Sequence, residues 1–539
     1  MRIHAAKSFR TKGFNGGWWP CKSRVINTRR EKSSLVFLGG VMGSEDIVSK
    51  QTFGTPFPDG KILRNRLIGC IVAAVIFLLF QFVIPTPEGL PHQAMSAAGI
   101  LFCSIVLWCT EGVPFTITVV LIYFLLPITG ILPYNAITDP AQSFNGQPLM
   151  SVFNSSSLLV PIYCLFVFTV SGAVMATPIP YRVARAALNA AGTNVTKLFV
   201  MFGLGCSVLS MFISDLAASA IFCGIGISIV QANGGKPKIS ELGKAFTVLC
   251  GTTAAIGGIG TPVGNSLNML CMNMVGQAMG VTVTFGQWCL TMIPIAIITS
   301  LIASWVVIKL YKVEEIKPEA LEVVQSKLAD YGKMTAREIK IIVWFIIVFG
   351  ICLASTWVPS INSMLVCFIG AVIAFIPGLN LLTKEDFDAS VSWDIIMLII
   401  GVQCLINGMM GTGLVTWAVK LIFAGAASWP FIVVVIVAVV VTGVLHILIP
   451  IGPPTVSVAL PIMFGIAAIV PELNGCLIAA IGGSIGAVTS FLPFDAIMLC
   501  SYKYGWISMG DWLKKAWVPT VILWIVVIIL GPVITGFFY

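Results

Sequence analysis

Apolar runs of about twenty residues recur from Leu67 to the end of the chain, each closed by a short polar or glycine- and proline-bearing stretch. A helix of about twenty residues spans the roughly 30 Å of hydrocarbon in a bilayer. The pattern predicts such helices over Leu67–Ile84, Met95–Trp108, Pro114–Pro133, Leu158–Met175, Leu290–Leu310, Ile341–Ala354, Met364–Ile376, Ile395–Met410 and Val518–Phe538. Four further blocks are apolar but interrupted. Leu198–Val230 carries Ser214 and Asp215 at its centre, and Ala245–Met279 is broken by Gly257, Gly258, Gly260, Pro262 and Gly264. In the second half, Phe431–Val470 is broken at Pro450, Gly452, Pro453 and Pro454, and Cys476–Cys500 at Gly482, Gly483, Pro493 and Asp495.

Backbone that leaves the helix at membrane depth survives only inside protein or beside a watery cavity. Paired breaks in corresponding halves point to a transporter's binding site. With Leu198–Val230 and Phe431–Val470 folded back as re-entrant hairpins, the chain has eleven spans and two hairpins. The fold class expected is therefore an all-α polytopic membrane protein built as an inverted repeat. Its expected parts are a tail at 1–66, a first membrane half at 67–310, a linker at 311–340 and a second half at 341–539. A basic amphipathic stretch around Arg182 and Arg185 leads into the first hairpin.

The charges agree with this count. Arg182, Arg185, Lys197, Lys236, Lys238, Lys244, the cluster from Lys309 to Lys340, Lys384, Lys503, Lys514 and Lys515 fall on one side, and only Lys420 falls awkwardly. Loops assigned to the other side, such as residues 135–147, lack Lys and Arg. The excess of basic residues marks the cytoplasmic side. The N-terminus is then cytoplasmic, the C-terminus outside, and the location a plasma (inner) membrane. Only 10% of residues are charged and the mean hydropathy is +0.99, so the net charge of +9 reports topology rather than nucleic-acid binding. The tail at 1–66 carries no apolar run long enough to span, and a translation start at Met42 is an alternative to one at Met1. The 15 cysteines are scattered through apolar runs without a Cys-x-x-Cys pair, which reads as packing. With three histidines, a His-based metal site is not expected.

The segment Trp108-Cys109-Thr110-Glu111-Gly112-Val113-Pro114 resembles the Trp-x-Thr-Glu-Ala-x-Pro signature of the divalent anion:sodium symporters. Trp393-Asp394 resembles that family's segment ahead of the second hairpin. The stretch 254–268 resembles its glycine-rich Thr-Pro-Pro-Asn break, and 502–516 the approach to its last helix. The resemblance covers about residues 67–539. It implies a carrier of dicarboxylates, citrate or sulfate, working as a homodimer, with Ser-Asn-Thr at each hairpin tip holding sodium and the substrate carboxylates. This chain departs from that pattern. Its first tip reads Ser214-Asp215-Leu216 and its second Ile451-Gly452-Pro453; the first break keeps Thr261, Pro262 and a displaced Asn265, and the second keeps Pro493 with Asp495 in place of Asn.

The residues themselves admit more than one reading. A carboxylate in mid-membrane costs about 2.5–3.5 kcal/mol on insertion scales, which makes Asp215 and Asp495 functional candidates. Each could hold a small cation or a proton, or simply cap a half-helix. The substrate-binding candidates are Ser214, Asp215, Asn265, Ser266, Asn268, Thr455 and Pro493. Those for a coupling cation are Ser214, Asp215, Gly260, Thr261, Gly452 and Asp495. Across helix contacts, Ser and Asn equally serve as polar glue. His446 reads as structural or as a proton relay, and Trp108, Trp288, Trp305, Trp357 and Trp517 as an interfacial belt.

The reading is a secondary active carrier of a small anion, embedded in the lipid bilayer. It is coupled to Na+ or H+ or works as an exchanger, with no organic cofactor and no catalytic or metal centre. A cation/proton antiporter, a membrane enzyme and a non-transporting relative are the rivals.

Overall fold

The computed structural model describes residues 60–110, 112–132, 159–192, 194–358, 360–423 and 425–538. The chain divides into two units, Met1–Thr55 and Pro56–Tyr539, and every described residue belongs to the second. The expected tail up to residue 59, Glu111 and the loop at 135–147 lie outside the described residues.

Among the described residues all regular structure is helical. The first half comprises α1 (Gly60–Leu78, continued by a π-turn at Leu79–Val83), α2 (His92–Thr110), α3 (Phe115–Ile128), α4 (Leu159–Met175), α5 (Ile179–Ala191), α6 (Val195–Ser210), α7 (Asp215–Ala232), α8 (Glu241–Gly258), α9 (Ser266–Met279) and α10 (Phe285–Tyr311). Helix α11 (Pro318–Ala329) occupies the linker. The second half comprises α12 (Ala336–Ala354), α13 (Ser363–Ala374), α14 (Lys384–Ser390), α15 (Trp393–Gly411), α16 (Leu414–Ile422), α17 (Phe431–Leu448), α18 (Gly452–Ala467), α19 (Gly475–Ile485), α20 (Ala496–Tyr502), α21 (Met509–Lys515) and α22 (Val518–Thr535).

Seven described helices are long and apolar enough to cross a membrane, and eight if the bent pair α4–α5 counts as one span. Helices α3, α6, α13, α18 and α19 are apolar but shorter. For α6, α18 and α19 the reason is local: each meets a break, where glycine, proline or a capping residue replaces the next turn. The 67° bend between α4 and α5 falls at Pro178 and Pro180, and α5 buries Pro180, Ala184, Ala187, Leu188 and Ala191 along one stripe.

The first interrupted block is an antiparallel hairpin. Phe202 and Phe222 approach to 4.8 Å between ring centroids, and the Cys206 thiol lies 4.0 Å from the Ala218 carbonyl. These pairs step outward symmetrically from Phe212, which therefore marks the turn. Phe199, Phe202, Phe222 and Phe246, all fully buried, join the hairpin to α8. Helices α17 and α18 also pack on one another, with the turn at Ile449–Ile451.

The two repeats are cross-paired. The returning arm of the first hairpin, α7, packs on α20, the second piece of the other repeat's broken helix. The Ser219 hydroxyl meets the Ile497 carbonyl at 3.4 Å and the Cys223 thiol the Ser501 carbonyl at 4.0 Å, so α7 and α20 run parallel with their N-termini together. Reciprocally, α18 packs on α9, and a Cβ on Gly452 at the start of α18 would lie 3.0 Å from Leu267 at the start of α9. Four half-helix N-termini thus converge at mid-fold, which concentrates positive dipole ends there.

The expected linker at 311–340 contains a packed helix. Helix α11 buries Ala320, Leu321, Val324 and Leu328 against α7 and α5. Their spacing places all four on one face, and the polar residues between them had masked that period in the sequence.

Candidate functional site

Ser214 is the N-cap of α7, and Asp215, in its first turn, is only 8% exposed. A carboxylate here sits at the positive end of the helix. Its Oδ1 accepts from the Leu216 backbone N–H at 2.8 Å, and its Oδ2 accepts from Asn265 Nδ2 at 2.7 Å. Asn265 is itself the N-cap of α9, with its Oδ1 accepting from the Leu267 N–H at 2.9 Å. One amide therefore closes a helix and fastens the hairpin tip to the break.

The rest of the break is ordered by hydroxyl, amide and indole donors. The buried Thr261 hydroxyl donates to the Met211 carbonyl in the tip and accepts from the Val263 and Gly264 N–H groups. Asn268, fully buried, donates through Nδ2 to the Gly258 and Thr261 carbonyls, both at 2.8 Å. Its Oδ1 has no partner among the described residues. Trp288 is 1% exposed and donates from Nε1 to the Ile259 carbonyl at 3.0 Å.

Close approach explains the glycines. A Cβ on Gly257 would stand 2.2 Å from the Ser207 carbonyl oxygen, and one on Gly258 would stand 3.0 Å from Asp215 Oδ2. Gly260 backs onto the Met211 side chain. The result is a cluster of backbone carbonyls beside one carboxylate, the hard-oxygen chemistry with which broken membrane helices hold small monovalent cations.

The second tip lacks this polar chemistry. Ile449, Pro450, Ile451 and Gly452 form its turn, and a Cβ on Gly452 would lie 3.2 Å from the Gly486 carbonyl. Thr455, fully buried, spends its hydroxyl on the Ile449 and Ile451 carbonyls at 2.7 and 3.0 Å, and Ser457 bonds the Pro454 carbonyl. Pro493 is buried in the second break, and Asp495 caps α20 by accepting from the Ile497 N–H at 2.9 Å. His446 is fully buried, its Nδ1 3.0 Å from the Ile485 carbonyl and its Nε2 without a partner among the described residues.

The structure therefore brings Asp215, Gly260, Thr261, Asn265 and Asn268 together at the first tip, with Ser214 on the adjoining turn, while Asp495 caps α20 in the second break. Ser266 follows Asn265 and faces Cys164 of α4. Gly452, Thr455 and Pro493 belong to the second tip and break.

A cavity of about 870 Å³ reaches Ser214 between α4, α7, α14 and α20. Ser171, Ser390 and Lys503 are among its polar lining residues, and the Ser171 hydroxyl is 3.4 Å from the Ser214 N–H. Asp386, also on its wall, is paired with Arg337 at 3.1 Å.

Sequence reasoning passed over Ser171 and Ser210 and read Trp288 only as part of an interfacial belt. Ser210 bonds the Ala254 carbonyl at 2.6 Å, clamping α6 to α8. The belt reading fails for Trp108 and Trp288, each 1% exposed, because both indoles sit inside the packed helices; Trp305, Trp357 and Trp517 are exposed as a belt requires. The position of Trp288 in the first turn of a helix was the only signal, and it is shared by interfacial tryptophans.

Comparison with known proteins agrees with the fold. Residues 65–535 match the model of the sodium:sulfate symporter transmembrane region. The sodium-dependent dicarboxylate transporter SdcS of Staphylococcus saprophyticus is 22% identical over 506 residues, covering 88% of this chain and 92% of that protein. Its namesake in Staphylococcus aureus strain USA300 is 24% identical over 393 residues, covering 68% and 71%. Among solved structures, the Alcanivorax borkumensis YdaH transporter, whose topology is described as unusual, superposes with a TM-score of 0.51 at 12% identity, covering 79% of this chain and 99% of that one. At that identity the likeness concerns the fold alone. The family match spans most of the chain, and with it the paired hairpins and broken helices are accounted for: the chain is a divergent member of the sodium:sulfate symporter family, the divalent anion:sodium symporters.

Proposed function

We propose that this protein is a secondary active carrier that moves a small anion, of dicarboxylate, tricarboxylate or sulfate type, across a plasma membrane. The observation that carries the reading is the Asn265–Asp215 contact at 2.7 Å, set where the N-termini of α7, α9 and α20 converge. The positive ends of these half-helices favour an anion, and the neighbouring carbonyls and Asp215 favour a cation beside it. One cation site and one anion site in contact is the minimum for symport.

Energetics narrow the coupling. Importing a dianion against 100 mV, inside negative, costs roughly 4.6 kcal/mol, which two co-transported monovalent cations cancel. The polar first tip and the apolar second tip support one strong cation site rather than two equivalent ones. We take Na+ as the first coupling ion to test, in keeping with the family and with the sodium-dependent relatives. Proton coupling through Asp215 or Asp495, or anion exchange, are the alternatives. The Lys503 side of the cavity is assigned to the cytoplasm by the positive-inside rule. A homodimer, with the N-terminus cytoplasmic and the C-terminus outside, completes the reading.

The test is a thermal-shift screen of the purified full chain with succinate, citrate, sulfate and tartrate, in sodium, in potassium and across pH. A ligand at 100 times its Kd adds about 2.7 kcal/mol to the folded state. Stabilisation by an anion that deepens with sodium supports the symporter. Deepening at low pH instead assigns the proton. Stabilisation by cations alone overturns the anion reading and favours a cation/proton antiporter centred on Asp215 and Asp495.

A further inference from the structure

A carrier exposes its site to each face in turn. In this structure the first tip opens through the cavity beside Ser171, Ser390 and Lys503, so a second route must run to the opposite face. Helix α9 leads there from Asn265. Ser266, Asn273 and Gln277 stand seven and then four residues apart on it, which at 100° per residue keeps them on one line within about 20°. The line begins at the break and ends about 16.5 Å away at Gln277, close to the far end of α9.

Across from its end lies α15, whose Gln403 is 2% exposed. Gln403 Nε2 donates to Gln277 Oε1 at 2.7 Å and to Asn407 Oδ1 at 3.3 Å. Helix α9 packs along α4, α18 and α19, and reaches α15 through these side chains. The bond is a bridge between helices rather than one contact within a packed interface.

Two groups on this track are buried without partners among the described residues: Asn273 Nδ2 and Gln403 Oε1. An orphaned buried group costs about 1–3 kcal/mol, a cost that a purely structural interhelical bond would not need to carry. An arrangement that leaves both unmet is accounted for if water or substrate satisfies them in another state.

We propose that the Ser266–Asn273–Gln277 line of α9 is the anion's path to the face opposite Lys503, and that the Gln277–Gln403 hydrogen bond closes its mouth in this conformation. The inference rests on the carrier reading above. It makes Gln277 and Gln403 gate residues, and Asn273 a transient contact for the passing anion or its water.

The experiment uses the full chain in right-side-out proteoliposomes. Gln277→Cys/Gln403→Cys is oxidised to a disulfide, and Asn273→Cys, added to that pair, reports access to a membrane-impermeant maleimide from the face opposite Lys503. Labelling is scored against the parent with its native cysteines. The expected result is loss of anion uptake on oxidation, recovery with reductant, no effect in either single variant, and protection of Asn273→Cys only when oxidised. Undiminished uptake by the cross-linked protein, or equal labelling in both states, overturns the gate. If the pair does not fold or does not cross-link, Gln403→Leu, which removes both hydrogen bonds, is expected to raise labelling of Asn273→Cys; unchanged labelling overturns the proposal. Labelling that switches as expected in a protein that transports no anion supports the gate while refuting the carrier reading, so the two fail separately.

Discussion

Asn265 donates to Asp215 across 2.7 Å, and this one hydrogen bond joins the tip of the first hairpin to the N-cap of the second piece of the broken helix. A bond from a neutral amide to a charged acceptor contributes about 1.5–3 kcal/mol. Asn265→Ala removes it together with the α9 cap. Thermal unfolding of the purified protein is expected to show destabilisation of at least about 2 kcal/mol. A melting temperature equal to the parent's would show that the two elements are held together elsewhere.

Asp215→Asn separates the transport readings. The substituted amide can still pair with Asn265, so the fold is expected to persist. An anion carrier then retains uptake with altered cation dependence, because only the charge at the carbonyl cluster is lost. A cation antiporter loses all exchange. Uptake in proteoliposomes under an imposed sodium gradient decides between them.

Trp288 is expected to matter more than an interfacial tryptophan. Trp288→Phe keeps most of the ring but leaves the buried Ile259 carbonyl without its indole donor. The expected cost is about 1–3 kcal/mol. Trp305→Phe, at an exposed position, is the control and is expected to fall within about 0.5 kcal/mol of the parent. Equal melting temperatures for the two variants would remove Trp288 from the site.

Two glycines make a paired test of close packing. Gly257→Ala places a methyl 2.2 Å from the Ser207 carbonyl oxygen and 2.6 Å from its Cα, both backbone atoms that cannot turn aside. The variant is expected to push α8 off α6 and to lose folded protein on expression. Gly350→Ala, with nothing within 4 Å of the new Cβ, is expected to be neutral or to gain up to about 1 kcal/mol of helix stability. Size-exclusion profiles of both variants check this.

Arg182 ties the amphipathic α5 to the start of α12. It bonds the fully buried Glu338 carboxylate at 3.1 Å and the carbonyls of Tyr331, Gly332 and Lys333. Arg182→Ala leaves a buried carboxylate unpaired, a loss of about 3–5 kcal/mol when both partners are buried and less here, because Arg182 is 20% exposed. The double variant Arg182→Ala/Glu338→Ala is expected to recover part of that loss. Additive losses would show the pair to be uncoupled.

The chain's apolar periodicity by itself determined the long apolar helices, the two hairpins and the two breaks, because a bilayer core admits only backbone that satisfies its own hydrogen bonds. The polar residues at the first break were legible for the same reason: Ser214, Asp215, Thr261 and Asn265 stand out where little else is polar. Tertiary structure alone decided which of these meet. The cross-pairing of α7 with α20 and α18 with α9 joins residues hundreds of positions apart, and no local period encodes it. Trp288, Ser210 and the Gln277–Gln403 bridge were invisible for a related reason, since their roles depend on a carbonyl or an amide brought up from another element. Even α11 was hidden by its polar residues until α5 and α7 supplied a surface for its apolar face. Hydrophobicity fixed which segments enter the membrane, and hydrogen-bond geometry between distant segments fixed the site they build there.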